Sequence, residues 1–271
     1  MSLNKEKAIS IIKELTGKKN VLFMDKCRAS AELLMVLAKR SGFEFLVIQE
    51  EGGWYTYEKS GVRQGLKVLK ASMNNGVLVK EAFPFDKKAL ILLNTNPGYA
   101  FFDDLSFYDD FKKNGSLVVN DVVSSIGEKY AMKGDFIIGS FGKHKPLSIS
   151  SGGSFIAFDD DRGLNDLKQE LFPDSGKGIA FDELVVVLNN LENKKRAWFN
   201  YSNKIKKELL EQGFDVINKN KSLNVLVRGK RENLIKFCVE RNLEFLDCPL
   251  YIRTLQEAVS IEIKKKSVED L

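Results

Sequence analysis

Short apolar runs alternate along the chain with segments whose apolar residues recur every three or four positions. The runs lie at residues 20–24, 43–49, 65–72, 89–95, 116–121, 135–140 and 152–158, and their length predicts strands. Helical spacing is found at 5–17, 29–42, 102–115 and 181–212, and glycines at or next to the ends of these segments mark where the helices stop. The glycine-containing stretch 50–61 predicts a loop.

This alternation predicts an α/β fold in which helices cover both faces of a mostly parallel sheet, because several strands are apolar without interruption. Beyond Gly213 the pattern changes. Strand-like segments at 214–218, 223–229, 245–249, 252–255 and 260–264 flank one helical segment at 232–242. The sequence therefore predicts a large domain at 1–199, a small C-terminal α+β domain at 200–271, and a long helix that links them.

Polar residues follow three of the predicted strands. Asp121 ends one apolar run, Ser140 ends the next, and the turn NTNPGY at 94–99 follows a third. Functional residues of parallel sheets gather beyond the carboxyl ends of the strands. We therefore expect these residues to share one site, in which Asn96 or Tyr99 touches the substrate.

Composition excludes several classes of protein. With 44% hydrophobic and 29% charged residues, the chain is an ordinary globular protein. No apolar run approaches the length of a membrane span, and the start lacks the apolar core of a signal peptide, so we expect a cytoplasmic protein without a membrane partner. The net charge is +5, but the lysines are mixed with acids, which argues against nucleic acid as a partner. The run Lys264–Lys266 predicts a solvated tail.

The cysteine and histidine content argues against a disulfide framework and a metal site. The three cysteines, Cys27, Cys238 and Cys248, are widely spaced, and the last two lie in apolar contexts that predict burial. The chain has one histidine, His144. We therefore expect no metal ion.

The stretch from 121 to 153 carries the chemistry. Asp121 and Ser140 end successive strands, Lys145 follows five residues after Ser140, and the pair Gly152-Gly153 closes the stretch. A buried acid can keep a pyridine nitrogen protonated so that the ring accepts electrons, and a lysine can form a Schiff base. This order of residues suits an enzyme that uses pyridoxal 5′-phosphate (PLP).

The same stretch resembles the core of fold-type I PLP-dependent aminotransferases of the DegT/StrS-like group. The pattern D-x-x-[QS]-x-x-G is found at Asp121, Ser124 and Gly127, and S-F-x-x-x-K at Ser140 and Lys145. The resemblance implies the large domain of a fold-type I PLP transferase. It also implies a homodimer, with a small-molecule amino donor and a keto acceptor, such as a nucleotide-linked keto-sugar, as substrates.

The resemblance further assigns the contacts on the ring side of PLP. Lys145 forms the Schiff base, and Asp121 pairs with the pyridinium nitrogen. Ser124 lies near the 3′-oxygen. Trp54 stacks on the ring, with Tyr55 as the alternative. Burial beside a cation would lower the pKa of Lys145.

On the phosphate side, the resemblance assigns Ser140 and the start of the helix at Cys27, Arg28 and Ala29. Relatives carry N-S-G-T at that helix start, so this chain departs from the pattern. Backbone N–H groups at a helix N-terminus still favour an anion, and Arg28 can pair with it. The alternative is that Arg28 lies at the surface and Cys27 packs under the helix.

Three functions remain open on these grounds. The first is a PLP-dependent aminotransferase with its Schiff base on Lys145. The second is another PLP reaction, such as that of a lyase or decarboxylase, because the same electron sink serves all of them. The third is a non-catalytic binding protein with a decayed PLP site. No nucleotide-binding glycine motif supports a generic nucleotide binder.

Overall fold

Helices and strands alternate along most of the chain, as the apolar pattern predicts. The computed structural model describes residues 2–84, 86–103, 105, 108–250, 253–267 and 269. The helices in this part are α1 (Leu3–Thr16), α2 (Cys27–Arg40), α3 (Thr56–Arg63), α4 (Tyr108–Lys113), α5 (Leu164–Leu171), α6 (Phe181–Asn189), α7 (Leu191–Glu211) and α8 (Arg231–Glu240). The strands are β1 (Asn20–Met24), β2 (Phe45–Gln49), β3 (Lys67–Ala71), β4 (Met73–Asn74), β5 (Val77–Leu78), β6 (Ala89–Asn94), β7 (Leu117–Asp121), β8 (Phe136–Ser140), β9 (Ser154–Phe158), β10 (Asp215–Val216), β11 (Val225–Arg228), β12 (Phe245–Cys248) and β13 (Ala258–Ile261).

The larger sheet has seven strands in the order β1-β9-β8-β7-β6-β2-β3. Its pairs from β3 through β2, β6 and β7 to β8 are parallel, and β9 runs antiparallel to both of its neighbours. The prediction of a mostly parallel sheet in an α/β fold is therefore confirmed.

Helices cover both faces of this sheet because successive side chains of a strand point in opposite directions. In β7, Val119 packs in a cluster with Leu34 of α2, whereas its neighbour Val118 packs with Phe111 of α4. Helices α2, α3 and α5 lie on the first face, and α1, α4 and α6 lie on the other. The strands are thus buried on both sides, which is why they read as continuous apolar runs.

The smaller sheet has four antiparallel strands in the order β10-β11-β13-β12. Its core joins Trp198 of α7 and Phe237 of α8 to Val225 and Ile261 of the sheet. The C-terminal antiparallel strands and their helix agree with the sequence pattern. Cys238 and Cys248 are buried here, as predicted.

Two predicted segments are wrong in the first and last thirds of the chain. The stretch 50–61 is not all loop, because α3 begins at Thr56. Its Gly61 fits the helix tightly against the sheet, since a Cβ there would lie 2.4 Å from Leu46. The helix expected at 181–212 is two helices that break at Asn190, because α6 packs on α1 and α7 packs on the smaller sheet.

Two further predictions hold only in part. The helix expected at 102–115 is the short α4, which begins at Tyr108, and residues 104, 106 and 107 lie outside the described residues. The strand expected at 252–255 is absent from its described part, Arg253 to Leu255, while Ile252 lies outside the description. The sequence reading did not identify α5 or the β4–β5 hairpin.

The strand-end residues meet at one edge of the larger sheet. Asn94 at the end of β6 lies opposite Asp121 at the end of β7, which in turn pairs with Ile138 of β8. The carboxyl ends of three neighbouring parallel strands therefore open onto the same space.

Candidate active site

A cavity of about 390 Å³ lies beyond this edge. That volume falls within the range typical of small-molecule sites. The described residues that line it come from six parts of the chain: Lys26, Cys27, Arg28, Gly52, Gly53, Trp54, Tyr55, Thr56, Tyr57, Asn94, Tyr99, Asp121, Val123, Ser140, Lys145 and Arg253. The polar residues that follow separate strands in the sequence thus lie in one place.

Asp121 is buried at the floor of the cavity. One carboxylate oxygen accepts a hydrogen bond from the Tyr57 hydroxyl (2.7 Å), and the other accepts one from the backbone N–H of Val123 (3.0 Å). Burial raises the pKa of Asp121 above its usual range, although Tyr57, Val123 and Lys145 oppose the shift. A cation placed against this carboxylate would offset the cost of its burial.

Lys145 follows β8 and reaches the same cavity. Its ammonium group donates to the hydroxyl oxygen of Tyr99 over 2.5 Å and lies 5.9 Å from the centre of the Trp54 ring. Burial lowers the pKa of Lys145, but Tyr99 and Asp121 outweigh burial, and the net pKa is raised. The pKa is raised in the protein without a ligand because a hydrogen-bond acceptor and an acid face the amine, and the lowered pKa expected beside a bound cation stays a prediction.

The start of α2 forms another wall. The N-cap residue Lys26 makes no side-chain cap, so the first N–H groups of this helix are left to other acceptors. Cys27 is half-buried, and burial, followed by the field of Asp121, raises the pKa of its thiol. Arg28 is exposed and pairs with Glu32 at 3.4 Å. Arg28 thus lies at the surface, as one alternative expects, and also lines the cavity, while its pairing with an anion stays a prediction.

Trp54 and Ser140 lie on other sides of the cavity. Trp54 is half exposed, and its ring centre lies 4.8 Å from that of Tyr55. The hydroxyl of Ser140 accepts a hydrogen bond from the N–H of Gly142 (3.2 Å) and retains its own proton for another acceptor.

Two expected site residues are not among those that line the cavity. Ser124 is fully buried, and its hydroxyl donates to the backbone oxygen of Asn96 at 3.1 Å. Ala29 packs against the core on one face of the sheet. Spacing within a motif identified them, but each side chain is used by the fold.

Two residues of the site were not identified from the sequence. Tyr57 was read as part of a loop, whereas the first turn of α3 directs its hydroxyl onto Asp121. Arg253 comes from the segment between β12 and β13, more than a hundred residues after Lys145. Helical spacing in 56–63 was the available signal for Tyr57. No local pattern marks Arg253.

The fold holds Arg253 in place through its backbone and its side chain. A Cβ on Gly98, whose φ is +61°, would lie 2.4 Å from the carbonyl oxygen of Arg253. The turn after β6 can therefore approach the backbone of Arg253 only because residue 98 is a glycine. Buried Glu51 accepts a hydrogen bond from the N–H of Leu255 (3.0 Å). The guanidinium group donates to Glu262 at 3.2 Å.

Glu262 is the centre of a buried cluster beside the cavity. It contacts Arg253 and Lys264 and accepts hydrogen bonds from Asn224 (2.9 Å) and Ser260 (2.8 Å). Burial opposes its charge, but the two cations hold the pKa of Glu262 below its usual value. The solvated tail predicted for Lys264–Lys266 is therefore wrong at Lys264, which is 4% exposed.

Three buried side chains at or beside the cavity have polar atoms with no hydrogen-bond partner among the described residues. These atoms are the Thr56 hydroxyl, both side-chain amide atoms of Asn96 and the Nε of Arg253. Buried polar groups are normally satisfied, so unsatisfied ones next to a cavity indicate a missing ligand. A ligand with several acceptor oxygens would satisfy them.

In the described part of the chain, no three or more His, Cys, Asp or Glu side chains form a group that could hold a metal ion. Within the same part, no helix has both the length and the apolar character needed to cross a membrane.

The fold is that of a group of solved PLP-dependent fold-type I transferases, which the chain matches over nearly its whole length. A serine palmitoyltransferase from S. paucimobilis with bound PLP-myriocin aldimine matches with a TM-score of 0.69 and 12% identity, over 100% of this chain and 74% of that one. A DegT DnrJ EryC1 StrS aminotransferase from Brucella abortus matches with a TM-score of 0.71 and 12% identity, over 100% of this chain and 88% of that one.

A third solved structure is ureidoglycine-glyoxylate aminotransferase from Bacillus subtilis. It matches with a TM-score of 0.72 and 12% identity, over 96% of this chain and 78% of that one. No protein-family profile matches the chain, and no curated protein sequence does. At this level of identity the similarity establishes the fold.

Proposed function

We propose that this protein is a PLP-dependent transferase, most simply an aminotransferase, in which Lys145 holds the cofactor covalently. The observation that carries the proposal is that Asp121 and Lys145 share one cavity, with a raised pKa on the buried acid. The fold similarity to solved PLP-dependent enzymes supports it.

The residues present fit PLP on the ring side. A protonated ring nitrogen is the cation that buried Asp121 lacks, and Tyr57 keeps the acid oriented. When bound, PLP supplies an electron sink that stabilises a carbanion next to the amino nitrogen. Trp54 offers an aromatic face at the same cavity.

The phosphate side also fits, although its sequence departs from the relatives. The uncapped start of α2 favours an anion through its free N–H groups and the helix dipole. Ser140 supplies a hydroxyl donor and Arg28 supplies a charge at the mouth of the cavity. Because Arg28 also pairs with Glu32, we assign most of the phosphate contact to the backbone and Ser140.

The charge of the cavity supports a substrate with a carboxylate. The described lining residues include four cations, Lys26, Arg28, Lys145 and Arg253, and one acid, Asp121. A phosphate uses part of this excess, and Arg253, whose Nε has no partner among the described residues, can bind a carboxylate. An amino acid as donor and a keto acid as acceptor meet this requirement.

Lys145 would also move the proton. With cofactor and substrate bound, the free amine of Lys145 would take a proton from one carbon of the substrate and return it to a second carbon within its reach. The Tyr57 hydroxyl and the Val123 N–H hold the Asp121 carboxylate in a fixed orientation in the same cavity.

The experiment that tests the proposal is mapping of the lysine that PLP labels. Purified protein is mixed with PLP, its absorbance is recorded, and borohydride reduction is followed by peptide mass spectrometry. We expect an absorbance band at about 400 nm from the bound cofactor and a single label on Lys145. Absence of the band and of label on Lys145 would remove the PLP enzyme and leave the non-catalytic binding protein.

The reaction type is decided by a second step on the labelled protein. Amino acids are added one at a time, and the spectrum and products are followed. Conversion of the amino acid to its keto acid supports transamination. A second candidate is acyl transfer to an amino acid, which the similarity to serine palmitoyltransferase favours, and it would give no keto acid.

Several finer features belong to the same proposal. The homodimer and a keto-sugar acceptor rest on the sequence resemblance, whereas the cytoplasmic location rests on composition. The division into two domains rests on the change of pattern after Gly213, and the break at Asn190 offers a boundary some ten residues earlier than the one expected at 199. Size measurement in solution tests the dimer.

A further inference from the structure

Tyr99 ties the cavity to the smaller sheet. It lies in the turn after β6 with φ of +63°, a conformation that side chains rarely adopt, and it is 6% exposed. Its carbonyl oxygen accepts hydrogen bonds from the N–H groups of Leu223 (3.0 Å) and Asn224 (2.9 Å) just before β11. The backbone therefore fixes the position of its ring.

Three cations surround this ring. The Lys145 ammonium donates to the hydroxyl over 2.5 Å. On other sides, the Nζ of Lys264 lies 4.2 Å and the guanidinium carbon of Arg253 lies 5.3 Å from the ring centre. Positively charged groups are attracted to the face of an aromatic ring, and a charged donor makes a stronger hydrogen bond to a hydroxyl oxygen than a neutral donor does.

We propose that Tyr99 is a further catalytic residue of this site, whose hydroxyl oxygen stabilises Lys145 while Lys145 carries a proton. This inference rests on the proposed PLP chemistry of Lys145 and assigns a partner to the reacting amine. The Tyr99 ring is held from both sheets, so the acceptor stays in place when a ligand fills the cavity.

The proton balance is simple. As the substrate C–H bond breaks, its electron pair stays with the carbon skeleton and its proton forms a new N–H bond on the neutral amine. Lys145 is then a buried cation, which is costly without an acceptor. The Tyr99 oxygen supplies that acceptor until the proton returns to carbon, and no other reactant is needed.

The groups that face Lys145 shift its pKa in different directions. Asp121 and Tyr99 favour its charged form, whereas burial and Arg253 oppose it, and the net pKa is raised. Lys264 and Cys27 also lie within electrostatic reach. The only direct hydrogen bond of the Lys145 ammonium within the described residues is to Tyr99, so its removal is the sharpest test.

The test uses the protein without PLP. Reductive methylation with formaldehyde and cyanoborohydride is followed at Lys145 by peptide mass spectrometry from about pH 7, where the amine is mostly charged, to about pH 11, where a large fraction is neutral. Tyr99→Phe removes the hydroxyl and keeps the ring. We expect Lys145 to react about tenfold faster or more, since a hydrogen bond to a charged group corresponds to one or two pKa units.

Control measurements distinguish a change in the charge of Lys145 from a change in its accessibility to the reagent. Tyr201→Phe removes a hydroxyl beside the same core and should leave the Lys145 rate unchanged. A gain caused by charge disappears at high pH, whereas a gain caused by access persists at every pH and would overturn the proposal, as would an unchanged rate. If Tyr99→Phe does not fold, the wild-type profile decides: a plateau below about pH 9 overturns the proposal, and a continued rise supports it.

Failure of this inference can be told apart from failure of the proposed function. Label from PLP on Lys145 together with an unchanged methylation profile in Tyr99→Phe would remove Tyr99 and leave the PLP enzyme. Absence of PLP label would remove the reaction that this inference serves, and Tyr99 would then be a structural partner of a buried lysine.

Discussion

The cavity edge of the larger sheet and the core of the smaller sheet both contain buried charges, but they treat them differently. In the smaller sheet, Glu262 is surrounded by Arg253, Lys264 and two neutral donors, and its pKa is lowered. At the cavity edge, Asp121 has a hydroxyl and an N–H as donors, and its pKa is raised. A buried charge that is paired with opposite charges of the protein is structural. A buried charge beside a cavity that lacks such a partner indicates that a ligand supplies it.

The largest effect is expected for Lys145→Ala. Removing the amine should abolish both the absorbance band and the reduced label, because no covalent bond to PLP can form at this position. Lys143→Ala, which changes an exposed lysine two residues away, is the matched control and should keep both. Label that persists in Lys145→Ala would show that another lysine holds the cofactor.

The next effect is expected for Asp121→Asn. The variant should still take up PLP but convert an amino acid more slowly by on the order of 100-fold, because the ring nitrogen loses its charged partner. The measurement is the rate of spectral change in a single turnover. Asp135→Asn, at the opposite edge of the same sheet, should keep the wild-type rate. A wild-type rate in Asp121→Asn would show that the electron sink does not depend on the Asp121 carboxylate.

In the smaller sheet, Glu262→Gln should lower the free energy of unfolding by about 3 kcal/mol, since two cations lose a buried partner. Urea unfolding measures the change. Glu170→Gln breaks the exposed pair with Arg40 and should cost less than about 1 kcal/mol. Equal losses of unfolding free energy in the two variants would contradict the expectation that a buried ion pair contributes more than an exposed one.

A smaller, pH-dependent effect is expected at Lys206 of α7. Burial lowers its pKa to about 8, and its ammonium donates to the carbonyl of Asn220. The unfolded chain, with a pKa near about 10.4, binds more protons between these values, so stability should rise with pH through this window. The rise should be on the order of 2 kcal/mol and should be missing in Lys206→Met. Parallel pH profiles of unfolding in the two proteins would contradict the lowered pKa.

Much of the fold could be predicted because the signals are local. Continuous apolar runs such as Ala89–Asn94 identify buried parallel strands, since both faces of the sheet are covered. The errors have a common cause. The glycine-containing stretch 50–61 predicts a loop, but its Gly61 marks close packing of α3 on Leu46. Asn190 breaks a helix whose two halves pack on different sheets. Both depend on distant partners.

The candidate site divides in the same way. Asp121, Ser140 and Lys145 follow strands at a spacing that sequence alone can recognise, because the carboxyl ends of parallel strands share an edge. Tyr57, Tyr99 and Arg253 acquire their contacts from three separate segments. The run Lys264–Lys266 predicts a solvated tail, although Lys264 is buried against Glu262.

The sequence by itself determined the α/β class, the order of the strands' polar ends and the acid and amine that define the proposed chemistry. Each of these depends on residues close together in the chain, where periodicity and spacing are sufficient. The tertiary structure decided which side chains face the cavity, as Arg253 does, and which make hydrogen bonds inside the protein instead, as Ser124 does. The reason is physical: burial, hydrogen-bond partners and pKa shifts depend on segments that meet only when the two sheets pack together.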